Sequence, residues 1–536
     1  MTTFDYIIVG GGSAGCVLAN RLSADPAVTV LLLEAGQQDN YVWVHVPVGY
    51  LYCIDNPRTD WRYRTQPDPG LHGRSLLYPR GRVLGGCSSI NGMIYMRGQR
   101  QDYDDWAALG CHGWGWDEVL PYFLKSEDHH AGAGPFHGSG HEMRVERQRL
   151  SWTLLDAFRV AASQAGIPSI DDFNTGDNFG CSYFDVTQRK GVRWNASKAF
   201  LRPVRHRRNL TVLTGAQVRD LEIDADLRCT GVNAVLKGAL QSFRAAREVV
   251  LSAGAVNSPA ILERSGIGRS EVLQSAGIAC KHPLPAVGEN LQDHLQLRMA
   301  FKVQGVATLN AQVHSAWGKA RMGLQYLVNR SGPLSMAPSQ LGCFAKTRFS
   351  TDRPDVQYHV QPLSLDRFGE PLHRFPAFTA SVCGLRPTSR GHIHVDPQNP
   401  QGTPLITPNY LSTVEDQNVA VEALKLTRRI VSQAALQPYR PEEFLPGLAS
   451  QSDDELLHAA GRIGTTIFHP VGTCRMGPES DPGAVVDERL RVRGIRALRV
   501  VDASVMPRIT SGNTHAPTTM LAEKAADMVI QDARRR

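Results

Sequence analysis

Hydrophobic and polar positions fall into three textures along the chain. In the first, short apolar runs stand between glycine-rich turns. Phe4-Asp5-Tyr6-Ile7-Ile8-Val9 is one such run, and Val28 to Leu33, ending on Glu34, is another. Between them Cys16 to Leu22 has helical spacing. Asn209–Thr214, Val218–Ile223, Ala246–Ala253 and Leu498–Ala503 repeat the strand-like texture. Runs of this length without alternation read as strands covered on both faces. In the second texture, from Leu297 to Ala460, apolar and polar residues alternate. Val356-Gln357-Tyr358-His359-Val360-Gln361 and His392-Ile393-His394-Val395 predict antiparallel strands, with helices over Ala311–Asn329 and Val414–Ser432. The third texture is amphipathic helix: Trp106 to Ser126, Ser151 to Ala165 behind a serine cap, and Ala516–Asp532 with Pro517 in its first turn. The aromatic-, Pro- and Gly-rich stretch from Asn40 to Gly81 fits none of these. It is too long for a free loop, so it is expected to cover something.

The turn between the first strand and the first helix carries specific chemistry. Gly10-Gly11-Gly12-Ser13-Ala14-Gly15 places G-x-G-x-x-G at Gly10, Gly12 and Gly15, and Glu34 closes the next strand. Gly10 permits the tight turn, Gly12 lets a pyrophosphate approach bare backbone, and Gly15 lets helix and strand pack closely. The N–H groups opening the helix then face the phosphates, and Glu34 is placed to accept from an adenosine ribose. The predicted fold is therefore α/β (α+β overall): a Rossmann-type dinucleotide-binding domain with a second domain built on an antiparallel sheet with helices. The unit alone leaves NAD and FAD open.

Bulk properties narrow the class. The 536 residues, 42% hydrophobic and 20% charged, are ordinary for a globular enzyme with a large core. A net charge of +7 is modest at this length, and its clusters, Arg205-His206-Arg207-Arg208 and Arg534-Arg535-Arg536, are short. They read as solvated surface, with a weak grip on an anionic membrane as the alternative. No nucleic-acid module is present. Ten dispersed cysteines without metal-ligand spacing predict a reduced protein and no metal. The start runs straight into a strand, which predicts no export signal and a cytoplasmic protein, with peripheral attachment at the inner face of the membrane left open. The oligomeric state is not encoded in any pattern.

Two further segments carry a resemblance. The first is Gly81-Arg82-Val83-Leu84-Gly85-Gly86-Cys87-Ser88-Ser89-Ile90-Asn91-Gly92-Met93-Ile94; the second is Gly254-Ala255-Val256-Asn257-Ser258-Pro259 leading to Ser265-Gly266-Ile267-Gly268. They resemble the two signatures of the glucose–methanol–choline (GMC) oxidoreductases, which are FAD-dependent. The resemblance spans about residues 4 to 530, nearest to bacterial choline-type and alcohol dehydrogenases, and implies FAD rather than NAD. It implies flavin-domain segments at 1–150, 201–296 and 461–536, and substrate-domain segments at 151–200 and 297–460. It also implies FAD contacts at Gly10, Gly12, Ser13, Ala14, Gly15, Glu34 and Ala35; at Arg82, Val83, Gly85, Gly86, Ser88, Asn91, Gly92, Met93 and Ile94; and at Val218 (adenine), Ala253 and Gly254. Asp502, Ala503, Asn513, His515 and Ala516 complete that set. Where some choline oxidases carry a flavin-linking histidine, this chain has Ile90, so the FAD is expected to be non-covalent.

The same resemblance assigns the reaction. In Phe468-His469-Pro470-Val471-Gly472-Thr473, His469 matches the histidine base that takes the hydroxyl proton while a hydride leaves the carbinol carbon. A second active-site residue, His or Asn by branch, precedes the Ala-Pro opening the last helix; here that residue is His515. Phe468, His469 and His515 are expected to face the substrate, Phe468 suiting an apolar or aromatic alcohol. The implied reaction converts a primary alcohol to an aldehyde, with electrons passing to a quinone-type acceptor or O2. The alternative is a hydroxynitrile-lyase type of chemistry on the same scaffold.

Overall fold

The computed structural model describes residues 2–350, 352–366 and 370–535, so Arg536 of the terminal basic cluster lies outside the described residues. Two seven-stranded sheets organise it. In the first, Thr2–Val9 runs parallel between Val30–Glu34 and Ala239–Leu251, with Leu210–Thr214 beyond. Every residue of Val30–Glu34 is buried, as a strand covered on both faces requires. Ala239–Leu251 is long because one edge serves two neighbours. Its start pairs antiparallel with Cys229–Leu236, which in turn pairs with Ala216–Ile223; its end pairs parallel with Leu498–Val500. The helix Ser13–Leu22 packs on the last helix, His515–Arg535, so the two chain ends meet over this sheet.

The second sheet is antiparallel, in the order Glu442–Leu445, Leu295–Lys302, Ala377–Gly384, Val356–Gln361, Leu341–Ala345, Gly180–Tyr183. Gly464–Thr466 adds beside the start of Leu295–Lys302, with Leu295 opposite Thr466. The alternation in Val356–Gln361 has an unexpected meaning: all six residues are buried. The apolar positions enter the core, while His359 and Gln361 face a cavity between the sheets rather than water.

Several sequence-predicted elements are interrupted for local reasons. The Trp106–Ser126 run is two helices, Arg100–Ala108 and Trp116–Ser126, broken where Gly110 and Gly113 adopt positive φ. Ala311–Asn329 divides into Leu309–Val313 and Ala316–Asn329 because the Ser315 hydroxyl caps the second helix. The helix expected behind Ser151 starts at Thr153 without a side-chain cap. Val501–Ala503 leaves the strand because Asp502 caps a short turn at Ala503–Val505. The Asn40–Gly81 stretch holds short helices and a Tyr63–Arg64/Leu77–Tyr78 hairpin, and its Tyr50, Ile54, Trp61 and Tyr63 line the cavity it covers.

Candidate active site

A cavity of about 530 Å³ runs along the C-terminal ends of the first sheet and under the second. Open parallel sheets place ligand sites at this edge. One end is built from backbone. A Cβ on Gly15 would stand 1.9 Å from the Gly10 carbonyl oxygen, so only glycine lets the helix start this close to the strand. A Cβ on Gly12 would meet nothing closer than 3.9 Å, leaving the helix N-terminus open to an anion. Glu34 is buried, and its two oxygens accept from Gly11 N–H (2.8 Å) and Gly36 N–H (2.7 Å). Burial raises its carboxyl to about 7. Glu34 thus ties the turn together while also lining the cavity. Asp502 does comparable work from the far strand: it accepts from Gly254 N–H (2.9 Å), Ser258 Oγ–H (2.6 Å) and Ser504 N–H (2.8 Å).

Buried positive charge stands behind the cavity wall. Arg193 Nη1 donates to Asn91 Oδ1 (2.8 Å) and Ser88 O (3.2 Å), while its Nε and Nη2 have no partner among the described residues. Burial lowers Arg193 to about 10 and Lys198, whose Nζ donates to the Arg193 carbonyl, to about 7. A glycine-rich wall, an open helix N-terminus and the buried Arg193 guanidinium behind it together fit an anionic dinucleotide.

The other end is built from side chains far apart in sequence. Pairing of Leu295 with Thr466 brings the residues just outside each strand, His294 and the Ile467–His469 turn, side by side. Asp293 fastens this corner, accepting from His469 N–H (2.8 Å), Tyr410 O–H (2.6 Å) and Thr466 Oγ–H (2.6 Å). Arg80 donates to the carbonyl of Phe468, which holds φ +71°. The histidine contacts then fix one proton arrangement. His294 Nε2 lies 3.0 Å from the Leu385 carbonyl, which can only accept, so Nε2 carries the hydrogen and neutral His294 Nδ1 is an acceptor. His469 Nδ1, 3.1 Å away, therefore donates to it. The lone pair of His469 is left on Nε2, where it accepts from Asn513 Nδ2–H (3.1 Å). Burial, reinforced by His294, His359 and Arg80, holds His469 well below the ordinary histidine range, so it is neutral at physiological pH.

The second active-site position is corrected by this geometry. Asn513, not His515, meets His469. His515 turns the other way, with Nδ1 3.0 Å from Ser13 Oγ, and burial lowers it to about 4. It lines the cavity at the helix opening, beside the nucleotide turn. Of the expected cofactor residues, Gly10, Gly12, Ser13, Ala14, Glu34, Ala35, Arg82, Gly86, Ser88, Asn91, Gly92, Met93, Ile94, Val218, Ala253, Gly254, Asp502, Ala503, Asn513 and His515 line the cavity, as do Phe468 and His469. Gly15, Val83, Gly85 and Ala516 stand behind its wall. Gly15 packs on Gly10, Val83 joins Val44, Cys53 and Ile90, Gly85 donates its N–H to Gly11 O, and Ala516 enters the core. Sequence reasoning missed His294, Asp293, Arg193 and His359; the last is fully buried with its Nε2 unpartnered and is lowered to about 3.

Comparison with known proteins agrees with this architecture. The GMC oxidoreductase family profile matches residues 4–296 with its N-terminal part and 387–522 with its C-terminal part. An alcohol dehydrogenase [acceptor] of Pseudomonas putida is 40% identical over 532 residues, covering 98% of this chain and 96% of that one. An oxygen-dependent choline dehydrogenase of Photobacterium profundum is 40% identical over 537 residues, 99% and 93% of the two chains. The crystal structure of pyridoxine 4-oxidase from Mesorbium loti superposes with a TM-score of 0.88 at 33% identity, covering 99% of both chains. The chain belongs to the GMC oxidoreductases. It is an FAD-class enzyme acting on CH–OH donors, and the lyase alternative is not favoured.

Proposed function

We propose that the chain oxidises a primary alcohol to an aldehyde with non-covalently held FAD, passing electrons to a quinone-type acceptor or to O2. The observation that carries this reading is the lone pair on His469 Nε2, fixed by the Leu385–His294–His469 sequence of hydrogen bonds. Bound FAD supplies the hydride acceptor. Gly12, Ser13 and the helix opening would hold its phosphates, Glu34, Ala35 and Val218 its adenosine end, and Asn91–Ile94, Ala503 and His515 the remainder. Ile90 at the position of the known histidyl link supports non-covalent binding. His469 Nε2 removes the hydroxyl proton, and Asn513 Nδ2–H donates to the substrate oxygen as charge builds there. Burial disfavours the resulting imidazolium, so His469 is neutral and ready to accept before each turnover.

The cavity favours an apolar or aromatic alcohol. Phe468 and Tyr50 line it, while its acids among the described residues are Glu34 and Asp502, both bound to backbone N–H groups. A quaternary ammonium would find aromatic faces there but no carboxylate. The direct experiment is anaerobic: add choline, benzylic, furanic and medium-chain primary alcohols to the purified yellow protein. Bleaching by the benzylic or medium-chain class is expected, and admitting air then reports whether oxygen is the acceptor. Unbleached flavin with every alcohol, together with cyanohydrin cleavage, would overturn the reading.

A further inference from the structure

The helix Ala316–Asn329 has two apolar sides. Met322 and Tyr326 are buried against the protein. At about 100° per residue, Trp317, Leu324 and Val328 stand on the opposite side, with Ala320 and Leu327 beside them. Trp317 is 83% exposed, Leu324 64%, Leu327 71% and Val328 70%. A helix that packs on one side only normally turns polar residues outward. Here the outward stripe is apolar and contiguous, and a patch of that kind marks an interaction surface.

The stretch of chain that carries the helix has charge of one sign. No Asp or Glu occurs between Asp293 and Asp352. Lys319, Arg321 and Arg330 are exposed on or at the end of the helix, and exposed Arg149 donates to the carbonyls of Asn329 and Arg330. We infer that this helix seats the enzyme on an anionic lipid bilayer, lying in the surface plane. Trp317, Leu324, Leu327 and Val328 enter the boundary between headgroups and acyl chains, and the cations meet lipid phosphate. The helix is about 21 Å long, short for a span. Among the described residues no helix is long and apolar enough to cross a membrane. A second copy of the chain suits the patch less well, because a two-fold contact would set these cations against their own twins. Beyond the helix the chain turns at Pro333–Ser335 and reaches Pro338 and Ser339 in the cavity wall, so the bilayer would lie beside the route to the cavity.

The test uses the FAD-loaded enzyme and two vesicle preparations, phosphatidylcholine alone and an equal mixture with phosphatidylglycerol. Flotation should recover the enzyme with the anionic vesicles and not with the neutral ones, and added salt should weaken recovery. Vesicles with brominated acyl chains should quench more tryptophan emission in the parent than in Trp317→Phe. The double variant Leu324→Ser/Val328→Ser should bind anionic vesicles about tenfold more weakly. Its flavin spectrum, thermal stability and turnover of a water-soluble alcohol should match the parent, because both positions point to solvent. Recovery independent of lipid charge, or equal binding by the double variant, would overturn the inference. So would a parent that ignores vesicles but forms a dimer abolished by the double variant, which would assign the patch to self-association. None of these readouts depends on which alcohol is oxidised.

Discussion

The two ends of the cavity are made differently. At the nucleotide end, the phosphate-facing groups are backbone N–H donors and missing side chains, supplied by a local strand–turn–helix unit between Thr2 and Glu34. At the reaction end, His294, His359, His469 and Asn513 come from separate elements and meet through strand pairing. The first end depends on shape, where one added carbon is an obstruction. The second depends on proton placement, where one misdirected hydrogen bond changes the chemistry and leaves the fold untouched.

Substitutions should separate the two. The largest effect is expected from His469→Ala, which should slow anaerobic flavin reduction about 10²–10⁴-fold while the protein remains yellow. Loss of the flavin in that variant would show that the two ends are not independent. Gly15→Ala should do the opposite, yielding colourless protein destabilised by about 1–3 kcal/mol or more, because its Cβ would stand 1.9 Å from the Gly10 oxygen. Thermal unfolding with and without added FAD measures this. Smaller still, Asn513→Ala should cost roughly 1.5–3 kcal/mol of transition-state stabilisation, about tenfold or more in reduction rate. His515→Asn should change the flavin spectrum and affinity more than the rate. A rate collapse in the His515 variant alone would restore His515 as the partner of His469.

The smallest effect is a pH dependence of stability spread over both ends. His45 and His515 are lowered to about 4, His359 to about 3, and His469 lies well below its ordinary value, each chiefly by burial. As pH falls through about 6.5 towards 4, the unfolded chain takes up protons that the native state refuses, so stability falls. His137 and His394 are raised to about 9, opposed by burial but carried by their carboxylate partners. Their contribution is complete below about 6.5 and is lost as pH rises through 9. The melting temperature should therefore peak near pH 6.5 and decline by several degrees on either side. A melting temperature that rises steadily from pH 6.5 to pH 4.5 would contradict the burial of these imidazoles.

The contrast also explains what the sequence could disclose. The nucleotide end was legible because each residue's neighbours in space are its neighbours in the chain. His469 was legible through its surrounding segment, but its partners were not. His294 sits in an ordinary-looking Gly288–His294 loop, and only the pairing of Leu295 with Thr466 gives it a role. His359 occupies the polar half of an alternating strand, a pattern that predicts a water-facing side, yet that side faces the cavity. Asn513 and His515 lie two residues apart just before and at the start of a helix, where no periodicity has begun. Nothing in their spacing tells which turns towards His469 and which towards Ser13.

The strands that seat the base have a consequence for how such a protein can change over evolutionary time. The second sheet departs from the catalytic corner at Leu295 and returns to it at Gly464–Thr466. Between those points well over a hundred residues form all the remaining strands except Gly180–Tyr183, with their loops, while Asp293, His294 and His469 stay anchored at the closed root. Loops beyond the root, other than those that carry Leu385 and Tyr410, can lengthen, shorten or exchange side chains without shifting the proton-handling atoms. Specificity can drift while the chemistry is inherited intact, so one scaffold can give rise to many enzymes.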